Sequence, residues 1–172
     1  MNAAHIHLML NHVPLFGAAA VTILFGVALI LRQQSVARAG LVVALLAAAV
    51  AVIVYLTGEP AEELVENIPG ISEGVMETHE EIALVATIVL GAFALVALYG
   101  LFAFRHGVSM RFTKFLLVLS FVPLAAIAYT SYLGGQIRHS EIRPAAVGAS
   151  GPRETAGEVQ ADERADESEG RR

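Results

Sequence analysis

Residues 82–104 read IALVATIVLGAFALVALYGLFAF, a run without one Asp, Glu, Lys or Arg. A helix of about twenty such residues, rising 1.5 Å per residue, crosses the ~30 Å hydrocarbon core of a bilayer. Three further uncharged runs accompany it, Val13–Leu31, Ala39–Gly58 and Phe115–Gly135. Backbone N–H and C=O groups in lipid must be bonded within their own segment. Runs of this length therefore form helices rather than the strands of a barrel. The expected fold is all-α, an integral membrane up-down-up-down four-helix bundle over residues 1–143. A disordered polar tail, residues 144–172, is expected to follow it.

Composition points the same way. Of 172 residues 56% are hydrophobic and 16% charged, with a mean hydropathy of +0.64, where a soluble domain is about a quarter charged. The net charge of −5 arises from ends and loops. With no basic motif for a phosphate backbone, no nucleic-acid partner is expected. The first run has no basic residue before it and exceeds the apolar core of a cleavable leader, so it reads as a span. There is no cysteine, which excludes disulfides, thiolate metal sites, iron–sulfur clusters and a covalently attached c-type haem.

The links between spans set the topology. RQQSVAR carries Arg32 and Arg38, and RHGVSMRFTK carries Arg105, Arg111 and Lys114, whereas residues before Val13 and from Glu59 to Glu81 contain neither Lys nor Arg. The positive-inside rule puts the two basic links in the cytoplasm. The chain is then a multi-pass protein of the cell's inner (cytoplasmic) membrane with both termini outside, although Arg138 and Arg143 argue against that sidedness. The basic links are short, so the spans they join are antiparallel neighbours. Small residues four apart, Ala18/Thr22/Gly26 and Ala83/Thr87/Gly91, suit close helix packing and could also meet a membrane protein partner or a second copy. Pro14 sits near a helix mouth and Pro123 is expected to kink the fourth span. The link EPAEELVENIPGISEGVMETHEE predicts a short amphipathic helix from Pro60, closed by a turn at Pro69-Gly70. From Pro144 onward there is almost no large apolar residue, the composition of a disordered segment.

On this topology, His5, His7, His12, His79 and His139 fall at one membrane face and His106 at the other. Imidazole is the commonest metal-ligating side chain. His12, deepest of the first three, is expected to point into the bundle, and His79 is its counterpart on the third span. His5 and His12 are seven apart, within about 20° of each other on a helix, and His7 shares a neighbouring face with Asn11. Asn11 could equally cap a helix that begins at His12. Gly134-Gly135 would let a flat or bulky group approach the fourth span near His139.

Two chemistries fit such a rim. One is a b-type haem held by two imidazoles, with Arg138 or Arg143 on its propionates. The other is a first-row transition metal ion held by His7, His12 and His79 with Glu80. A ferritin-like di-iron centre is disfavoured, since no Glu-x-x-His motif occurs. A plainer reading has the histidines as interfacial anchors bonded to loop carboxylates, and Glu62, Glu66 and Glu73 as a solvated acidic loop.

His7-x4-His12-x-Pro14, Thr57-Gly58, His79 and Leu133-Gly134-Gly135 resemble the signature of a family of bacterial four-span membrane proteins of unknown function. Its members begin with an H-P-x-x-x-H-x-P-like motif. The resemblance covers residues 5 to about 143. It departs at Leu8, where the family has Pro, and at His139, which sits nearer the glycine pair. What the resemblance implies is a four-helix bundle with histidines grouped at one face and, by extension, haem or metal binding.

The function expected from the sequence is electron transfer, or an accessory place in a membrane redox complex. His12 and His79 would be ligands, with His7 and His139 as second ligands or orienting groups. No catalytic motif is present. A divalent-metal or proton transporter is the alternative, but the spans carry no charge to form a pathway. A ligand-free structural subunit is the other.

Overall fold

The computed structural model describes residues 2–65 and 68–143, and the expected tail lies outside them, as do Glu66 and Asn67. Every regular element among the described residues is helical. In chain order these are α1 (Ala3–Leu10), α2 (Val13–Leu31), α3 (Gln34–Leu56), α4 (Glu59–Glu62), α5 (Glu73–Ala103) and α6 (Met110–Arg138), then a single 3-10 turn at Ser140–Ile142.

Helix α1 starts where the Asn2 side chain accepts from the His5 N–H at 3.0 Å, an N-cap. Asn11 ends α1 rather than capping α2, its N–H returning to the His7 carbonyl at 2.8 Å. The break is short because Pro14 causes it. Proline has no N–H for the carbonyl four residues back, and its ring crowds that carbonyl. Helix α2 closes on Arg32 in the left-handed conformation, φ 53° and ψ 36°, while the Gln33 N–H reaches back to the Ala28 carbonyl. That tight reversal makes α2 and α3 antiparallel neighbours.

The long helices pack in a ring in which α2 touches α3 and α6, and α5 touches α3 and α6. This is the expected up-down-up-down bundle. Its close approaches are made at glycines other than Gly26 and Gly91, beside which a Cβ would meet nothing. A Cβ at Gly40 would lie 2.9 Å from the Phe25 ring, at Gly100 2.6 Å from Phe112, and at Gly17 2.7 Å from the Ala47 Cβ. Thr22 does join the packing, donating to Ser120 Oγ on α6 at 3.0 Å.

Four helical stretches, Ala3–Leu31 (α1 and α2 together), α3, α5 and α6, are long and apolar enough to cross a membrane. Only 33% of the most apolar window of the first is buried, and 28% in each of the others. Phe16, Ile23, Ile30, Leu95 and Val118 are among the side chains left exposed. In water such a surface would aggregate; against acyl chains it is at rest. This is a multi-pass integral membrane bundle.

The amphipathic helix expected after Pro60 shrinks to the single turn α4, followed by turns at 63–65 and at Pro69-Gly70, where Gly70 has φ 90°. Glu59, Glu62, Glu63 and Glu66 stand three or four apart, and like charges at helical spacing repel. By contrast α5 begins nine residues before its uncharged run, so it stands proud of the bilayer. Its 31 residues span about 46 Å, which carries His79 onto a rigid rod.

Candidate functional site: a histidine pair at one end of the bundle

Two imidazoles turn inward at the end where α1 and α5 begin and α3 and α6 finish. His7 Nδ1 donates to the Val54 carbonyl of α3 at 3.0 Å, and His79 Nδ1 donates to the Thr130 carbonyl of α6 at 3.0 Å. Both rings are half-buried.

Each acceptor carbonyl is open for a local reason. At the end of α3 the Gly58 N–H bonds to Tyr55 rather than to Val54. Val54 thus lacks its helical donor, and His7 supplies one, since the Thr57 hydroxyl shares its single proton between Val54 at 3.1 Å and the nearer Ile53 carbonyl at 2.8 Å. Thr130 lies inside α6, where a second donor must approach past residue 134. That residue is glycine, and a Cβ on it would lie 3.0 Å from His79 Cε1. A Cβ on Gly58 would likewise lie 3.7 Å from His7 Cε1. Both histidines therefore bond a carbonyl four residues before a glycine, one in each helical hairpin.

With the proton on Nδ1, a neutral ring offers its lone pair at Nε2. Neither Nε2 has a hydrogen-bond partner among the described residues. An Nδ1–H bonded to a backbone carbonyl is the arrangement that orients ligating histidines and raises their basicity.

The other expected residues stand apart from this pair. His12 does not point into the bundle: it is exposed, its Nδ1 bonded to Asn11 Oδ1 and its ring stacked on Phe16 at 6.5 Å. The helical screw explains this correction. Once His7 faces inward, His5 is about 200° and His12 about 140° away around the axis. His5 accordingly bonds back to Asn2 at 2.6 Å. His139 is 59% exposed and pairs with Glu141 at 2.7 Å. Glu80 and Arg138 are exposed on the same end, and His106 is exposed at the other. Among the described residues, no group of three or more His, Asp or Glu is gathered that could hold a metal ion.

The pairing of His7 rather than His12 with His79 escaped the sequence reading. The signal was present in the seven-residue spacing of His5 and His12, which sends both to the face opposite His7. Gly58 and Gly134 also mark where a ring could rest against a helix backbone.

Comparison with protein-family models, with curated proteins and with solved structures found no match. The four-span resemblance accordingly rests on the residues quoted for it.

Proposed function

We propose that His7 and His79 would hold a b-type haem at this end of the bundle, and that the protein is a membrane electron carrier or an accessory subunit of a redox complex. The observation that carries this reading is the matched pair of imidazoles, each fixed through Nδ1 with Nε2 unpartnered. The donor set suits iron in a porphyrin, which needs two protein ligands, better than a bare ion, which needs three or more. The chain would hold the group through His7 on α1 and His79 on α5, with Arg138 at the end of α6 to meet a propionate. When bound, the haem supplies a one-electron couple. The protein's part is to orient both rings and to keep their protons on the carbonyl side. The membrane is expected to be the cytoplasmic one, with the histidine end outside.

A second reading has one observation behind it: His7 also satisfies an otherwise short-changed carbonyl at the end of α3. The rings would then be interhelical clamps of a structural subunit. Asparagine separates the two, since its amide N–H falls near the Nδ1 position and nothing replaces Nε2. Purified from haem-replete cells, the wild-type protein should show a Soret band and a reducible α band. His7→Asn and His79→Asn should fold and lose both bands, while His12→Ala keeps them. A colourless wild type, or bands that persist in both Asn variants, would overturn haem ligation. Stoichiometric non-haem metal by elemental analysis would replace haem with an ion.

A further inference from the structure

The opposite end of the bundle gathers cations with no carboxylate among the described residues to answer them. Arg32, Arg38, Arg105, Arg111 and Lys114 are all exposed there. Every Asp or Glu up to residue 143 lies instead between 59 and 81 or at Glu141. Two of these cations are held in place. Arg38 Nη1 donates to the Arg105 carbonyl at 3.0 Å, joining the two short links, and Arg105 Nε donates to His106 Nε2 at 3.1 Å. The backbone beneath is fixed by Gly107, at φ 151°, where a Cβ would collide with Gln34 Oε1.

Two guanidinium-bearing segments are thus tied together by their own hydrogen bonds. Like charges so placed repel, and more strongly beside hydrocarbon than in open water. An anion between them removes that cost. Guanidinium forks match phosphate oxygens two at a time. On α5, one to two turns deeper than Arg105, Tyr99 is 62% and Phe102 73% exposed. A phosphate with acyl chains attached satisfies both layers at once, which a free phosphate does not.

We infer that the Arg38–Arg105 cluster binds the headgroup phosphate of an anionic phospholipid, whose acyl chains lie along Tyr99 and Phe102. Each cation beside an anionic membrane surface contributes about fivefold in affinity. The site is separate from the histidine pair and does not depend on how that pair is used.

The test uses the full chain in detergent, with unfolding followed by circular dichroism while mixed micelles are titrated in. Phosphatidylglycerol should raise the unfolding midpoint well above the value in phosphatidylcholine. Arg38→Gln should weaken its apparent affinity about fivefold, and Arg38→Gln with Arg105→Gln more than tenfold. Equal stabilisation by phosphatidylcholine, or by inorganic phosphate alone, would overturn the assignment, as would an undiminished response in the double variant. Native mass spectrometry of the wild type gives an answer that needs no variant: retained anionic lipid supports the site, and indiscriminate retention of neutral lipid contradicts it.

Discussion

The two halves of this bundle are built from different materials. Towards the basic end the core has Phe25, Leu41, Phe93 and Leu116 packed with Val21, Val108 and the alanines Ala28, Ala37, Ala44 and Ala97, none more than 3% exposed. Phe25 meets Phe93 edge to face at 6.5 Å. Towards the histidine end the core is Ala47, Ala48, Ala51, Ala86 and Ala94 around Leu90 and Ile127, capped by the two half-buried rings. Lipid is as apolar as leucine, so helices in a bilayer associate through packing and hydrogen bonds rather than through exclusion of water. Interlocking large side chains therefore hold one end. Close backbone approach and imidazole bonds to backbone carbonyls hold the other, and that end keeps its ring nitrogens available.

The largest expected effect lies in the first half. Phe25→Ala should destabilise the bundle by about 3 kcal/mol through the cavity it leaves, measured by denaturant unfolding in detergent. Ligand binding by the folded fraction should be unaltered; loss of both together would mean that the halves are not independent. Gly134→Val comes next and works in the second half. The added side chain occupies the place of the His79 ring and should cost about 1–2 kcal/mol by overpacking. Its main consequence should be loss of the His79–Thr130 bond and of any ligand. Gly58→Ala, whose Cβ would lie 3.7 Å from the His7 ring and 3.2 Å from the Tyr55 carbonyl, should disturb its histidine less. Ser120→Ala removes one bond between α2 and α6 near the middle and should cost only about 0.6 kcal/mol, since the Thr22 hydroxyl then gives its one proton wholly to the Ala18 carbonyl at 3.1 Å. Smallest of all, and opposite in sign, Gly26→Ala meets open space and should stabilise α2 by about 0.5 kcal/mol. A destabilised Gly26→Ala would mean that a partner covers that face.

How far each half could be read from sequence follows the same division. Charge-free runs announce spans because lipid tolerates nothing else, and short basic links announce antiparallel neighbours. The face grouping of the histidines follows from counting spans. Which histidine turns inward follows from the screw alone: His5 and His12, seven apart, share a face, so turning His7 inward carries both outward. The link from Glu59 to Glu81 misleads. Its proline start at Pro60 and its turn at Pro69-Gly70 suggested an amphipathic helix, but carboxylates three and four apart repel along such a helix, and one turn forms. The closely packed glycines are not the ones that the small-residue spacing marks. Gly26 and Gly91 fit a packing motif without packing closely, while Gly40 and Gly100 owe their closeness to phenylalanines on other helices.

The two rings share one orientation, which imidazole nitrogen resonances report directly. Protein labelled with 15N-histidine and held above the imidazole range, about pH 8, should show His7 and His79 as the Nδ1–H form. Each should be identified by loss of its signal on substitution by Asn. His12 should not share that pattern. Signals from either paired ring showing the Nε2–H form, or averaging between the two, would mean that its carbonyl bond is not made and that no matched pair of nitrogens is on offer.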